Sequence, residues 1–243
     1  DTGKVVTVTF SKDILEGTAF DDITISSNGS PLTTITKTIN GNVLSLTNTV
    51  DYMDSTYTVY VPVDAVVDEA GNGLATSFSS VFTVDTVTPT VTSVDPADGT
   101  VLNDTSKVVT VTFSKDILEG TSFDDISISL NGTPLTTITK NISGNVMSLT
   151  NTAGYVDGTY TVNIPVDAVV DEAGNALTTA FSSLFTIDTV APVVSVVDPV
   201  DGAVINDTGK VVTVTFSKDI LEGTAFDDII ISSNGTPLTT ITK

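Results

Sequence analysis

The residues of this sequence best suited to chemistry are oxygen-bearing side chains that lie close to short turns. They are Asp85, Asp116, Glu119, Asp171, Glu172 and Asn175. Carboxylate and amide oxygens are the ligands that Ca²⁺ prefers, and extracellular modules bind this ion at roughly 10⁻⁴–10⁻³ M. If the fold gathers these side chains at one pole, we expect a calcium site there. The alternative is that residues 171–175, Asp-Glu-Ala-Gly-Asn, form only a tight solvated turn, and the sequence leaves both interpretations open.

A second acidic pair favours turn formation over metal binding. Asp95 and Asp98 belong to the run Asp-Pro-Ala-Asp-Gly, which has a copy that begins at Asp198. Proline presets φ and glycine accepts a positive φ, so this composition is typical of a turn. The neighbouring Lys107 and Lys115 are interpreted as solvated charges at strand ends.

Six asparagines match the acceptor pattern for N-glycosylation, N-x-[ST]. They are Asn28, Asn103, Asn131, Asn141, Asn206 and Asn234. We expect all six to lie in loops or turns, where a glycan can project into solvent. A chain rich in asparagine and threonine also produces such matches by chance, so these residues are candidates only.

Composition argues against an enzyme and against several classes of partner. Histidine, cysteine, tryptophan and glutamine are absent, which excludes Ser-His and Cys-His nucleophiles and thiolate metal sites. The 30 acidic and 9 basic residues give a net charge of −21, and such a surface repels nucleic-acid phosphates and anionic lipid heads. No apolar run is long enough to span a membrane. We therefore expect neither nucleic-acid binding nor membrane insertion in this segment.

An internal repeat dominates the sequence. The segment that starts at Asp1 recurs from Asp104 and from Asp207, so both offsets are 103 residues. Residues 1–37 and 207–243 differ only at Thr24/Ile230 and Ser30/Thr236. One repeat is long enough for an independent domain.

The elements that must position the candidate residues are all β-strands. Residues 107–113 alternate Val109, Val111 and Phe113 with threonine, the period of a half-buried strand. Similar patterns predict strands at residues 125–130, 136–140, 146–149, 160–170, 181–187 and 193–197. At most one helical turn is expected, at residues 115–120. About seven short strands separated by Gly, Asn, Asp and Pro turns over a hundred residues are typical of an immunoglobulin-like sandwich.

The motifs of the repeat also resemble those of a known family. Residues 171–175 precede a strand and then the linker Phe-Thr-Ile-Asp-Thr-Val-Ala-Pro at residues 185–192. Together with residues 198–202 and 214–218, this pattern resembles the bacterial Ig-like repeats of large surface adhesins and S-layer-type proteins. The resemblance implies an all-β fold of tandem immunoglobulin-like sandwiches in a linear array. It also implies a cell-surface or extracellular location, and calcium binding by junction aspartates in the adhesin members.

The linkers predict three domains. Residues 1–85 are expected to be an Ig-like domain without its first strand, residues 86–188 a complete domain, and residues 189–243 the N-terminal part of a third. The first and last residues of the sequence coincide with no predicted domain boundary. We therefore expect the chain to be part of a longer polypeptide, or its ends to be completed by other chains.

The leading functional hypothesis is a structural spacer, stalk or filament segment of a surface fibre, with no enzymatic activity. Its expected partners are neighbouring repeats of the same chain and other copies in a fibre. The alternative is an adhesin module that recognises glycan or protein through its pole loops. Such a module predicts loops that diverge between copies, whereas residues 11–17 and 114–120 are identical, which favours the spacer.

Overall fold

The computed structural model describes residues 5–239, 241 and 242 and divides into two compact units, Asp1–Ile187 and Asp188–Lys243. The first unit contains two similar β-sheet assemblies joined at residues 85–90. We call residues 1–84 the first domain, residues 85–90 the linker, residues 91–187 the second domain and residues 188–243 the C-terminal unit. Helical structure in the described residues is limited to single 3₁₀ turns at Phe20–Asp22, Phe123–Asp125 and Phe226–Asp228. The expected all-β fold is confirmed.

The second domain is built from two main sheets. Its strands are β10 (Val91–Asp95), β11 (Thr100–Leu102), β12 (Val109–Phe113), β13 (Leu118–Glu119), β14 (Ser127–Leu130), β15 (Thr133–Pro134), β16 (Ile138–Ser143), β17 (Val146–Asn151), β18 (Gly158–Ile164), β19 (Val169–Val170) and β20 (Phe181–Ile187). One sheet has the order β10-β12-β17-β16 and the other the order β11-β20-β18-β14-β15, while β13 pairs with β19 alone. The pairings are antiparallel except for β11, which lies parallel to β20.

The core of the second domain follows from the two-residue period of its strands. Along β12, Val109, Val111 and Phe113 are buried, while the threonines between them are only half-buried. Val109 lies opposite Leu149 on β17, and both side chains are fully enclosed. Apolar faces of the two sheets therefore pack against each other, which is the main stabilising term in such a domain.

Two tyrosines and a phenylalanine form an aromatic trio in this core. The Tyr155 ring lies edge-on to Tyr160 and Phe185 at 4.8 and 5.4 Å, and the last two rings stack at 5.2 Å. The Tyr160 hydroxyl donates to the carbonyl of Val156 and accepts from its amide, both at 2.9 Å. This closed contact pins the start of β18 to the preceding loop, as tyrosine corners do in Ig-like sandwiches.

The first domain repeats this plan with two strands fewer. Its strands are β1 (Val5–Thr9), β2 (Leu15–Glu16), β3 (Thr24–Ser27), β4 (Ser30–Pro31), β5 (Ile35–Asn40), β6 (Val43–Asn48), β7 (Ser55–Val61), β8 (Val66–Val67) and β9 (Phe78–Val84). The sheets have the orders β1-β6-β5 and β4-β3-β7-β9, with β2 paired to β8. Tyr52, Tyr57 and Phe82 form the equivalent aromatic trio. Counterparts of β10 and β11 are not present among the described residues of this domain.

The C-terminal unit contains two short strand pairs. Its strands are β21 (Val194–Asp198), β22 (Thr213–Phe216), β23 (Ser232–Ser233) and β24 (Thr236–Pro237). β21 pairs with β22 and β23 with β24, both antiparallel. In the part of this unit that the structure describes, no side chain is buried. The described segment therefore has no hydrophobic core of its own. The described part of the whole chain also holds no helix that is long and apolar enough for a transmembrane span.

Two of the expected elements are wrong in detail. Residues 115–120 form no helical turn, because Leu118 and Glu119 pair with β19, and the 3₁₀ turn lies three residues further on. The single strand expected at residues 160–170 is two strands. Pro165 offers no N–H, and Asp167 has a left-handed backbone with a φ of 59°, so the chain turns between β18 and β19.

Candidate functional site: the lysine clamp on the linker

A lysine holds the linker against the second domain. Lys115 follows β12, and Asp85 follows β9 directly. The Lys115 ammonium donates to both carboxylate oxygens of Asp85, at 3.0 and 2.8 Å, and to the carbonyl of Val87. It also donates to Asp171 Oδ2 at 3.0 Å. We call Lys115, Asp85, Asp171 and Asn175 the lysine clamp. Its lysine is only 23% exposed, so the expectation of a solvated strand-end charge is wrong for Lys115.

The turn at residues 171–175 orients the clamp. Asp171 is 3% exposed, and its Oδ1 accepts the backbone amide of Asn175 at 2.8 Å. The turn closes because Gly174 takes a φ of +88°, a conformation that residues with a side chain rarely adopt. The side-chain amide of Asn175 donates to Asp171 Oδ2 and to the carbonyl of Asp85, each at 2.9 Å. The acidic turn is thus both a turn and a binding surface for the linker.

The linker is also held from the side of the first domain. Asp54 Oδ1 accepts the Thr86 amide at 2.9 Å and the Thr86 hydroxyl at 2.8 Å. Asp85 Oδ1 accepts the Val87 amide at 3.0 Å, which closes a local turn. Three successive linker residues are therefore fixed by hydrogen bonds, with Asp54 on one side and the lysine clamp on the other.

The electrostatics of the clamp favour its ionised form. The hydrogen bond from Lys115 holds the pKa of Asp85 below its ordinary value of 3.8. Burial opposes ionisation of Asp171, but hydrogen bonds from Asn175 and Lys115 outweigh it and lower the pKa of that carboxyl as well. The hydrogen bond to Asp85 raises the pKa of Lys115 above 10.5. One ammonium therefore pairs with two carboxylates, and the three ionised groups keep one net negative charge.

Parts of the same clamp recur in each copy of the repeat. In the C-terminal unit, Lys218 donates to Asp188 Oδ1 and Oδ2 at 2.8 and 2.6 Å and to the Val190 carbonyl. In the first domain, Lys12 pairs with Asp68 at 2.8 Å, and hydrogen bonds from Asn72 and, to a lesser extent, Lys12 lower the pKa of that carboxyl. The clamp is a property of the repeat and not of one junction.

The candidate calcium ligands do not all meet. Asp85, Asp171 and Asn175 lie together in the clamp. Asp116, Glu119 and Glu172 are exposed, and Glu119 is paired along β13 with Val169. The described residues hold no group of three or more acidic side chains arranged for a metal. Because the Lys115 ammonium lies between the two clamp carboxylates, this arrangement does not fit a divalent cation. Calcium binding at the junction stays a prediction.

The second acidic pair acts as a turn anchor. Asp98 Oδ1 accepts the backbone amide of Leu184 at 2.8 Å, and the Gly99 amide donates to the Leu184 carbonyl at the same distance. Asp95 instead pairs with Lys107. The two carboxylates therefore serve different partners, and the turn is tied to β20.

Five of the six glycosylation candidates lie outside strands and are exposed. Asn28, Asn131 and Asn234 occupy the same turn in successive copies, with φ close to 50°, whereas Asn103 and Asn206 lie in loops. Asn141 differs from the expectation, because it lies within β16 opposite Ser148. The alternation of polar and apolar residues along residues 138–143 could have predicted that Asn141 lies in a strand. Occupancy of all six stays a prediction.

Comparisons with known proteins place this geometry in a family. A search of curated proteins finds no match. Among solved structures, the titin domains Z1Z2 in complex with telethonin are 11% identical, with a TM-score of 0.27. That match covers 76% of this chain and 87% of the titin chain. The model of the bacterial Ig-like domain matches residues 1–84 and again residues 85–187. With two adjacent matches over most of its length, the chain belongs to the bacterial Ig-like domain family.

Proposed function

We propose that this chain is a structural spacer, a segment of a stalk or filament at the cell surface or in the extracellular space. The observation that supports the proposal is the doubly held linker, in which Asp54 and the lysine clamp fix Asp85, Thr86 and Val87 from both sides. A linker without such contacts leaves successive domains free to reorient, because interfaces between domains of one chain are usually small. A linker fixed by hydrogen bonds keeps successive domains in one relative orientation, so that a chain of repeats keeps a defined length.

The family and the repeat agree with this role. Bacterial Ig-like domains are commonly surface-associated, and Ig-like domains are typically not enzymes. The near-identity of residues 1–37 and 207–243 suits a part whose length matters more than the individuality of each unit. A net charge of −21 keeps neighbouring chains soluble and apart.

The proposal is tested by the dimensions of chains with different numbers of repeats. Proteins with two, four and six copies of residues 86–188 are compared by small-angle scattering. For a spacer with held linkers, the maximum dimension grows linearly, by roughly 35–45 Å per domain, as strands of this length and their loops allow. Growth with the square root of repeat number, which a freely jointed chain shows, would contradict the proposal.

The calcium prediction is tested on the same proteins. If Ca²⁺ orders the junction, the maximum dimension is longer in millimolar Ca²⁺ than in EDTA, and Mg²⁺ at matched ionic strength does not reproduce the change. If the Lys115 ammonium already occupies the position between Asp85 and Asp171, the profile is the same in both solutions. The geometry of the clamp favours the second result, and a difference confined to Ca²⁺ would restore the metal hypothesis.

The adhesin alternative predicts binding by the pole loops. Immobilised glycans and surface proteins would then retain the second domain and lose it when residues 171–175 are changed. We favour the spacer because these loop residues are already engaged, with Asp171 and Asn175 bonded to the linker.

A further inference from the structure

The chain enters the second domain at one end and leaves it at the other. β10 begins with Val91, which lies opposite Phe113, the last residue of β12. β20 ends with Ile187, which lies opposite Leu102 at the end of β11 and opposite Gly158 at the start of β18. The loop between β11 and β12 is hydrogen-bonded to the loop before β18, so β12 starts at the end where β20 finishes and runs back. A pull on the two flanking segments therefore acts along the strands.

The strands that receive this pull are paired side by side along its direction. β10 is antiparallel to β12 through four paired positions, and β11 is parallel to β20 through three. A pull on Val91 against Ile187 moves β10 along β12 and β11 along β20. The backbone hydrogen bonds of both pairs are then loaded together, in shear, whereas a pull across a pair of strands opens its bonds one at a time.

The turn between β10 and β11 is fastened to β20 as well. Asp98 Oδ1 accepts the Leu184 amide at 2.8 Å and the Ser183 hydroxyl at 3.4 Å. The Gly99 amide donates to the Leu184 carbonyl at 2.8 Å. This anchor lies directly beside the pair formed by β11 and β20. β11 therefore has to break the anchor as well as its own strand pairing before it can slide along β20.

The lysine clamp lies ahead of these strands on the path of the load. Asp85 precedes β10 in the chain, and its carboxylate and carbonyl are held by Lys115 and Asn175. Lys115 follows the end of β12, and Asn175 lies between β19 and β20. A pull that arrives at Asp85 therefore passes to these two residues before it reaches β10. Thr90 makes a second hold, because it exchanges hydrogen bonds with Ser114 at 2.9 and 3.0 Å.

We propose that the second domain bears tension along the chain. The lysine clamp takes the load first, and β10 and β11 then resist it in shear. This load-bearing function rests on the proposed spacer role only for the source of the pull, because a stalk transmits the force that acts on its far end. The resistance itself follows from strand pairing within the second domain.

Contacts at the far edge of the second domain lie off this path and provide a control. β16 is the edge strand of its sheet and pairs with β17. Lys140 in this strand donates to the carbonyls of Phe123 and Asp124 at 2.8 and 2.7 Å. These bonds stabilise the fold as the Asp98 anchor does, but they lie in neither of the strand pairs that the pull loads in shear.

The test is single-molecule force spectroscopy of the full 243-residue chain in two pulling directions. The sequence has no cysteine, so handles attach only at introduced ones. Asp1→Cys with Lys243→Cys pulls along the chain, and the second domain is recognised by a length gain of roughly 300 Å, against roughly 250 Å for the first domain. Val156→Cys with Val190→Cys, at two exposed positions, pulls β18 and β20 apart from the end where they meet. The unfolding force should be at least about twofold higher along the chain, because several hydrogen bonds break together there.

Three variants, pulled along the chain, locate the resistance. Asp98→Ala should raise the unfolding rate of the second domain at constant force by about tenfold, because hydrogen bonds that must break at the barrier are lost. Lys140→Met removes two hydrogen bonds off the path and should raise this rate by less than about threefold. Lys115→Met should abolish a short extension that precedes unfolding and leave the unfolding rate unchanged.

Each result either supports the proposal or overturns it. Equal unfolding forces in the two directions, or equal acceleration by Asp98→Ala and Lys140→Met, would overturn resistance in shear. An early extension that persists in Lys115→Met would remove the clamp from the path of the load. The two pulling directions compare the same native strands, so that comparison stands even if Asp98→Ala does not fold. Scattering reports how the linkers hold successive domains and force spectroscopy how one domain yields, so either proposal can fail without the other.

Discussion

The lysine clamp depends on a single ammonium that serves four acceptors. Isolated surface ion pairs contribute little, since water screens them and side-chain entropy opposes them. Lys115 differs because Asp171 is buried, and removal of the cation would leave that carboxylate without its charge partner. Loss of the lysine would also remove the hydrogen bonds that hold Asp85 and Val87 of the linker.

Replacing this lysine should therefore loosen the linker. In Lys115→Met, the Val87 amide should exchange hydrogen severalfold faster, because the linker loses its hold on the second domain. The measurement is native-state hydrogen exchange of the intact chain. Lys107→Met is the matched control, because it makes the same charge change at a lysine of similar exposure, which precedes β12 and pairs with Asp95 on β10. Equal acceleration in both variants would contradict the role of the clamp.

The clamp should hold over a defined pH window. The pKa values of Asp85 and Asp171 are lowered by folding, so their contribution is present above the unfolded value near 3.8 and is lost as pH falls through the folded values. The pKa of Lys115 is raised, so its contribution is present below 10.5 and is lost as pH rises through the folded value. Exchange of the Val87 amide, corrected for its intrinsic pH dependence, should stay protected between these limits. Loss of protection near neutral pH would contradict the assignment.

The aromatic trio offers a second residue-level test, because its two hydroxyls differ. The Tyr155 hydroxyl is buried without a hydrogen-bond partner among the described residues, and burial, with Tyr160 nearby, raises its pKa to about 12. Tyr155→Phe should leave the free energy of unfolding unchanged or raise it by about 1 kcal/mol, since an unpaired polar group is removed. Tyr160→Phe should lower it by about 0.5–1.5 kcal/mol, since both bonds to Val156 are lost. Chemical denaturation measures both, and the reverse order would contradict the assignment.

Strands β10 and β11 complete the second domain. Two neighbouring residues of β11, one facing the core and one facing solvent, allow the contribution of this strand to stability to be tested. Leu102 packs against the core, whereas Val101, its neighbour, is exposed. Leu102→Asn should lower the free energy of unfolding of the second domain by about 1–3 kcal/mol, because it places an amide against apolar side chains. Val101→Asn should change it by less than about 0.5 kcal/mol. Calorimetry of the whole chain compares them, and similar losses would place β11 outside the core.

Much of this element pattern was predictable, and the misses have physical causes. Alternation in β12 and β20 identified both strands, because a strand with one buried face shows its period in the sequence. β11 was missed because three residues are too short for a visible period. The expected helical turn at residues 115–120 failed because pairing with β19 overrode local preference.

The candidate site was predictable in its members but not in its central residue. Asp85, Asp171 and Asn175 were grouped from the positions of loops at one pole, but Asp116, Glu119 and Glu172 were grouped with them and lie outside the clamp. Lys115 was assigned to solvent, because a lysine at a strand end is normally exposed. Only the three-dimensional path of the linker shows that its ammonium faces both carboxylates.

At the scale of the whole chain, a polypeptide of these 243 residues should unfold its two domains at different temperatures despite their similar sequences. The first domain leaves Val6, Val8 and Phe10 half-buried, whereas their counterparts in the second are enclosed. The first domain should therefore unfold at a lower temperature, as a separate transition in differential scanning calorimetry. A single transition that carries both domains would show that they unfold as one cooperative unit.

The aromatic trios also give this chain an internal optical reporter. Tryptophan is absent, and four of the five tyrosines lie in the two trios, two in each domain. With Tyr155 and Tyr160 rings 4.8 Å apart and steeply inclined, their near-ultraviolet transitions couple and yield circular dichroism that vanishes when the core opens. Tyrosine emission is free of energy transfer to indole. Replacing the pair in one domain by phenylalanine would leave the signal of the other, so the melting of each repeat can be followed by light alone, without a label.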